Sequence, residues 1–589
     1  MTCSDHAAQT PPSAVLRDDT RETFLLFRSP REVLQTYRMS EVLPLLERAE
    51  AAVEQQGLFA VGFLSYEAAP AFDPALRVHP TRGPLPLAFF ALHNPPELCA
   101  ELAPLSPMGP HLPWQPTIDF SSYRHAVERI RHHIAQGDTY QVNYTFPMET
   151  PFHGLAWDLF RQLLPAQRAP WAAYLDLGQH ALCSLSPELF FHLSRGILTC
   201  RPMKGTSPRG RWLEEDNVLA QKLAASEKNR AENVMIVDML RNDMGHVADL
   251  GSVVVRDLCV VERYPTLLQM TSTVTCRTRE SRTEILRALF PCASITGAPK
   301  VHTMRLLAEL ETCPRGIYTG AIGYLAPGGH AQFNVAIRTV HVDRQQGLAR
   351  YSVGSAILWD SDPADEYNEC LLKAQMLRKD QDFELLETLR WTPDAGYLLL
   401  DEHMQRLSDS ATYFVFPLRR LDVLQKLEET ATQLAQVPHR VRLRLSQNGL
   451  CSVEASCLPT SAQPEPVRLR LAPEPVDRQD VFLYHKTTRR QLYEAAKRAC
   501  PDCDDVLLWN DRGEVTETCT GNVALALERD GHLVTPPVEC GLLRGTYRSW
   551  LMTQGRLQEG VVRLEECVLP HRLYVMNSVH GLRQAVLFP

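Results

Sequence analysis

Between residues 120 and 378, four segments concentrate side chains able to do polar chemistry. "SLSPELFF" (184–191) presents Glu188 and leads through a strand to "RPMKGT" (201–206), where Lys204 stands in a tight bend between Pro202 and Gly205. Lysine is a poor turn residue, so this amine is either a stray surface charge or a group held in place for chemistry. "SEKNRAENVMIVDMLRNDMG" (226–245) reads as a helix with an apolar face of Val234, Val237 and Leu240 and one acid, Glu232, early on it. "WDSDPADEYNECLLKAQML" (359–377) opens on an Asp/Ser turn able to cap a helix. Glu366, Glu369 and Lys373 then fall on one face of it. Glutamates from two helices suit a hard cation such as Mg²⁺, although the same spacing also describes a solvated ion-pair face. "GDTYQVNYT" (137–145), following a helix, completes the set.

A second set lies beyond residue 383: "FELLETLR", "DEHMQRLSDSATYF", "YHKTTRR", "EVTETCTGNVAL", "TPPVECGLLRGTYR" and "NSVHGL". Each is weak alone, since a lone "HKTT" is more often surface than catalytic. Their order and spacing carry the signal.

In the first set, "SPELFF", "KGT", "AENVMIVDMLRND", "SITGAPKVHTM", "IRT" and "DPADEYNECLLKA" occur in one order. Together they resemble the chorismate-utilising enzymes over roughly residues 60–378. That family includes anthranilate, isochorismate, salicylate and aminodeoxychorismate synthases. The resemblance implies chorismate as substrate and Lys204 as a nucleophile, where anthranilate synthases typically carry alanine. Isochorismate and salicylate synthases place a water-activating lysine where Gln141 stands, so water addition is disfavoured. "SYEAAPAFD" (65–73) also looks like the aminodeoxychorismate branch.

By the same resemblance, Glu188 is the general acid/base, and Glu232 and Glu369 are Mg²⁺ ligands with Glu366 close by. Thr206, Tyr318, Arg338, Gly354 and Lys373 contact substrate. "SVGSAI" (352–357) departs from the family by placing Ser355 and Ala356 at glycine positions, which weakens the expected carboxylate cradle wherever φ must be positive. The nitrogen source implied is ammonia from a separate glutamine amidotransferase subunit, because no cysteine-centred glutaminase elbow is visible.

The chemistry explains the lysine. An enzyme nucleophile adding at C2 of chorismate expels the C4 hydroxyl, and ammonia adding at C4 then expels the enzyme, so one hard displacement becomes two. A free lysine titrates near pH 10.4, so the site must lower that value by burial or nearby cations.

The second set resembles fold-type IV pyridoxal-phosphate enzymes, which include branched-chain aminotransferases and aminodeoxychorismate lyase. The resemblance makes Lys486 the Schiff-base lysine and Glu517 the partner of the pyridine nitrogen. It gives Arg406 to the phosphate, with Thr546, Tyr547 and Ser578 adding hydrogen bonds, and it makes Thr388 an assistant to lyase chemistry. It also implies a homodimer through this region. The two resemblances together imply 4-aminobenzoate synthesis by a synthase fused to a lyase. An amino-acid aminotransferase in the C-terminal region is the alternative. A silent scaffold is disfavoured by retention of Lys204, Glu188, Glu232, Glu369, Lys486 and Glu517, and anthranilate-type activity by Lys204.

The elements positioning these groups read as α+β. "VRLRLSQNG" alternates as a strand, while "SSYRHAVERIRHHIAQ" and "PKVHTMRLLAELE" are amphipathic helices, in blocks without strict βαβ alternation. The chorismate resemblance implies stacked antiparallel sheets flanked by helices for residues 1–378, with a core of about 120–378. The pyridoxal-phosphate resemblance implies a two-subdomain α+β fold for residues 383–589. Pro-rich stretches at 93–116 and 457–467 read as connectors, the latter between subdomains. The charged, helix-favouring stretch 373–390 contains a junction near 378–383.

Composition bounds the rest. A chain of 589 residues with 44% hydrophobic and 22% charged residues is long enough for two or more domains and is not disordered. A net charge of −8 offers no basic footprint for nucleic acid or an anionic membrane. The first twenty residues lack a signal-peptide pattern and no apolar run spans a membrane, which implies a cytoplasmic protein. The 16 cysteines are scattered among apolar residues, as buried free thiols are. "CPDC" (500–503) has no second pair at zinc-ligand spacing.

Overall fold

The computed structural model describes residues 11–18, 21–81, 83–102, 112–167, 169–377, 383–459, 466–526, 532–567 and 572–588. Two compact units emerge: Met1–Pro208 with Ala220–Gln381, and Arg209–Leu219 with Asp382–Pro589. Residues 378–382 of the expected junction and 460–465 of the expected connector lie outside the described residues. The inclusion of Arg209–Leu219 in the second unit is not foreshadowed by the sequence.

The first unit stacks two ten-stranded sheets whose strand pairs are antiparallel. Side-chain alternation explains why so many of its strands are apolar on both faces. On the strand Ala14–Asp18, Leu16 enters the core between the sheets with Phe27, Phe63, Phe89 and Ile322. Val15, its neighbour, instead faces a helical layer with Tyr123, Phe160 and Leu307. The other sheet does the same, sending Phe63 inward and Leu64 toward the helix Val42–Gln56. That helix buries Val42, Leu45, Leu46, Ala49 and Val53, the spacing of one helical face. Each sheet is thus covered twice, giving the stacked antiparallel layers flanked by helices that the first set of motifs implies.

Two local expectations change. The "RPMKGT" bend is a strand, Met203–Pro208, whose register against Leu267–Arg277 shifts between Met203 and Thr206. The bulge, not a turn, re-aims Lys204, and Gly205 supplies its φ of +100°. The helix Glu227–Gly245 buries Asn233, Ile236, Val237, Leu240 and Met244, whereas Val234 is 38% exposed. Its packed face is therefore rotated from the expected one toward Asn233.

The second unit pairs a four-stranded antiparallel sheet with an eight-stranded mixed sheet. Residues 385–390, expected to favour helix, form the strand Leu385–Thr392, because Leu385, Leu389 and Trp391 alternate into the core under the helices Leu400–Tyr413 and Arg420–Thr432. Among the described residues no helix is long and apolar enough to cross a membrane.

Two candidate active sites

In the first unit one cavity of about 250 Å³ collects every residue expected to do chemistry there: Glu188, Lys204, Thr206, Glu232, Tyr318, Arg338, Gly354, Glu366, Glu369 and Lys373. Both sheets contribute. Lys204 and Thr206 come from Met203–Pro208 of one, and Gly354 from Leu348–Ile357 of the other. The acids arrive on helices with well-made starts. Ser226 caps the Glu232 helix by accepting from the Asn229 N–H. Asp362 caps Pro363–Lys373 by accepting from the N–H groups of Ala364 and Asp365. Such caps are worth about 1 kcal/mol each and fix where the glutamates begin.

Lys204 is buried, and burial depresses its pKa against the opposing pull of Glu232, Glu369 and Glu188. Glu188 is pushed up to about 7 by burial, opposed chiefly by a hydrogen bond from Ser294 Oγ to its Oε1 at 2.6 Å. An acid that holds its proton near neutrality thus faces the same cavity as an amine biased toward its neutral form. Arg338 reaches the cavity from a backbone at φ +50°, a left-handed conformation costing an L-residue about 1 kcal/mol or more. Its carbonyl accepts from the Leu185 N–H at 3.0 Å.

The expected carboxylate trio is not preassembled: among the described residues no three His, Cys, Asp or Glu side chains gather as a metal-holding group. Glu366 accepts from Ser361 Oγ at 2.7 Å, and Glu369 is paired with Lys373 at 2.7 Å. Burial would raise Glu369, but Lys373 outweighs it and holds the carboxyl below its usual range. Burial raises Glu232, and Glu369 adds to that rise. Two half-buried hard-oxygen donors from two helices fit a Mg²⁺ ion that keeps several waters.

The departure at "SVGSAI" does less than expected. No residue from Ser352 to Ile357 has positive φ, because the strand pairs with Gln141–Pro151 throughout. Ser355 turns from the cavity and shares a 2.7 Å hydrogen bond with Tyr123, while Ala356 lines it. Gly354 is the irreplaceable one, since a Cβ there would lie 2.7 Å from the Tyr144 carbonyl oxygen. Gln141 is fully buried, with neither amide atom hydrogen-bonded. Ser294, Asn143 and Gln269 line the cavity unforeseen, although "SITGAP" carried Ser294 in plain view.

In the second unit a cavity of about 630 Å³ holds Thr388, Arg406, Lys486, Glu517, Thr546, Tyr547 and Ser578 together. Lys486 sits on a short edge segment whose carbonyl accepts from the Leu386 N–H, and burial brings its amine down to about 8. Burial pushes Glu517 up to about 8, although Tyr493 Oη donates to it at 2.9 Å and the Leu543 N–H at 3.3 Å. Lys486 and Arg490 oppose that rise without cancelling it, and a protonated pyridine nitrogen would supply a further cation. Asn522 ties this acid to the Leu543–Gly545 stretch of the cavity wall by donating to Glu517 at 3.3 Å and to the Leu543 carbonyl at 2.8 Å. Next to it Gly545 opens the helix Thr546–Thr553, and a Cβ on Gly545 would fall 1.9 Å from Asn522 Oδ1. These residues fit pyridoxal phosphate.

Arg406 is less available than expected. Its Nε and Nη2 are bound to Glu387 at 2.9 and 2.6 Å, leaving Nη1, 3.3 Å from the Arg544 carbonyl, to meet an anion. Burial would raise Glu387, but Arg406 and His403 hold it down to about 2. Ser578 Oγ donates to the Thr388 carbonyl at 3.2 Å. A row unforeseen from sequence completes the cavity: Arg440, Arg442 and Arg444 alternate along His439–Leu445, with Arg442 paired to Thr388 in register.

At "CPDC" Cys503 Sγ donates to the Cys500 carbonyl at 3.1 Å, and both cysteines are free thiols.

Residues 100–379 match the model of the chorismate binding enzyme family and residues 384–587 that of amino-transferase class IV. Aminodeoxychorismate synthase of Streptomyces griseus is 43% identical over 285 residues, 48% of this chain and 39% of that protein. Aminodeoxychorismate synthase component 1 of Escherichia coli K12 is 41% identical over 268 residues, 45% of this chain and 59% of that protein. The chain thus spans well under two thirds of the length of these relatives. The solved anthranilate synthase component I from Streptococcus pneumoniae TIGR4 superposes with a TM-score of 0.52 at 25% identity, over 63% of this chain and 93% of that one.

Proposed function

Because the chain joins a chorismate binding enzyme domain to a class IV amino-transferase domain, we propose that it makes 4-aminobenzoate from chorismate in two steps. The observation that carries this reading is Lys204, a buried amine facing Glu188 in a cavity with Glu232 and Glu369. Lys204 Nζ adds at C2 of chorismate while Glu188 gives its proton to the departing C4 hydroxyl, which leaves as water. Ammonia then adds at C4, the C2–N bond to Lys204 breaks, and aminodeoxychorismate is released. Arg338 offers a fork to a substrate carboxylate, and Tyr318, Thr206 and Gly354 line the remaining surface. Mg²⁺ held by Glu232 and Glu369 would supply positive charge for the ring carboxylate.

In the second step pyridoxal phosphate, bound when loaded to Lys486, Glu517, Arg406 and the Thr546–Tyr547 helix start, supplies an electron sink. Lys486 takes the C4 proton, and the C3–O bond breaks to release enolpyruvate, which takes up protons to become pyruvate, as the ring becomes aromatic. Thr388, which lines the same cavity as Lys486, assists that proton in this reading. The Arg440, Arg442 and Arg444 row favours a dianion such as aminodeoxychorismate over the aliphatic substrate of a branched-chain aminotransferase.

The relatives named component 1 point to a second component, and a separate glutaminase supplying ammonia is part of this proposal, as is a homodimer through residues 383–589. The described cysteines are free thiols, most of them buried, which suits the reducing cytoplasm we assign to it. Lys204→Ala in the full chain is the test. Aminodeoxychorismate formation is lost, while pyruvate release from supplied aminodeoxychorismate continues. Normal amination by this variant overturns the covalent role.

A further inference from the structure

The chain leaves the first unit after Pro208, the end of the strand bearing Lys204, and returns at Ala220. The intervening Arg209–Leu219 lies inside the stretch matched by the chorismate binding model, yet it folds as part of the second unit. Its attachment there is dense and buried. Arg209 forks onto Asp216 at 2.7 and 3.1 Å and donates to the Tyr413 carbonyl at 2.6 Å. The same guanidinium stacks 4.3 Å from the centre of the Tyr413 ring. Side-chain exposure is 6% for Arg209 and zero for Asp216, so this pair is shielded from water and strongly directional. Tyr413 Oη answers by donating to the Gly210 carbonyl at 2.5 Å. Gly210 has no substitute, since a Cβ would lie 2.2 Å from the Asp216 nitrogen.

The segment ends its grip on the residue before the cofactor lysine. The Arg211 carbonyl lies 3.2 Å from His485 Nε2, and His485 Nδ1 lies 3.0 Å from Ser410 Oγ. A carbonyl only accepts, so Nε2 carries the proton and Nδ1 accepts from Ser410, which fixes one neutral tautomer. Trp212 packs 5.0 Å from Tyr484, on the other side of His485 in sequence. Tyr413, held by Arg209, closes the helix Leu400–Tyr413 that carries Arg406.

We propose that Arg209–Asp216 is a positioning element of the second site, fixing His485, and through it Lys486, so that cofactor loading depends on it. These are positioning residues, since none reaches the cavity. The inference rests on the reading of residues 383–589 as a pyridoxal-phosphate site.

The test uses the full chain stripped of cofactor and titrated with pyridoxal phosphate, followed by the visible absorbance of the bound cofactor. Arg209→Ala weakens binding about tenfold or more, as expected for losing a buried charged hydrogen-bonding partner. Arg209→Lys recovers part of the loss, and Tyr413→Phe weakens binding more mildly. In the wild-type chain, pyridoxal phosphate slows amide hydrogen exchange across residues 209–219, because ligand binding stabilises whatever is folded with its site. This arm stands even if Arg209→Ala does not fold. Wild-type affinity in Arg209→Ala, or exchange in 209–219 indifferent to the cofactor, overturns the inference. A wild-type chain that takes up no pyridoxal phosphate instead overturns the reading of the second site.

Discussion

Ser294 Oγ lies 2.6 Å from Glu188 Oε1, the hydroxyl of a Gly/Pro-flanked loop donating to a carboxyl that is 2% exposed. This contact opposes burial in setting the protonation of Glu188. Burial raises Glu188 to about 7, and Ser294 opposes the rise by favouring the charged form.

A pH profile tests that balance. In the proposed mechanism Glu188 holds its proton to act on the departing hydroxyl, so kcat/KM for amination is expected to fall as pH rises through about 7. Ser294→Ala removes a bond that favours the carboxylate, so the fall moves to higher pH. Glu188→Gln removes this titration from the profile and lowers the rate about 10²- to 10⁴-fold, the usual worth of a general acid. A fall that stays in place in Ser294→Ala would assign it to another group.

Arg442 gives a test of substrate class. Arg442→Leu raises KM for aminodeoxychorismate about ten- to a hundredfold, the cost of losing a hydrogen bond to a charged group. Steady-state kinetics of pyruvate release measure it. An unchanged KM would remove the arginine row from substrate binding.

Gly545 and Asn522 interlock Glu517 with the start of the helix Thr546–Thr553 in the second site. Gly545→Ala pushes Asn522 off Glu517, with overpacking costing about 1–3 kcal/mol. The expected results are a lower melting temperature and weaker pyridoxal-phosphate binding in titration, with chorismate amination retained. Normal cofactor affinity in this variant would show that the interlock is unimportant.

In the first unit Gly354→Ala drives a methyl toward the Tyr144 carbonyl and Thr145 side chain, each 2.7 Å away. Strand separation there displaces Lys373, whose Nζ donates to the Gly354 carbonyl at 2.8 Å. Chorismate KM rises, while pyruvate release from supplied aminodeoxychorismate holds. Ser355→Gly, by contrast, loses hydrogen bonds to Tyr123, Glu366 and Cys370 but removes no side chain that lines the cavity, and leaves that KM near wild type.

Much of both sites was legible in the sequence because motif residues are local and chemically distinctive. Glu188, Lys204, Glu232 and Arg338 sit far apart in the chain yet line one cavity, and their motif order alone grouped them. What the sequence concealed depends on pairing and register. The bulge that aims Lys204 arises from a shift against Leu267–Arg277, and residues 385–390 became a strand through partners near residue 441. The arginine row looked like ordinary alternation in "VRLRL" until the register set Arg442 opposite Thr388. Arg209–Leu219 carries no cue at all, since its partners Tyr413, Tyr484 and His485 lie about two hundred residues and more away.

The most direct measurement supplies the full chain with chorismate, ammonium, Mg²⁺ and pyridoxal phosphate and follows the products over time. Pyruvate and 4-aminobenzoate in equal amounts, preceded by transient aminodeoxychorismate, are the expected result. Accumulated anthranilate, or aminodeoxychorismate that persists without pyruvate, would contradict the roles given to Lys204 and Lys486.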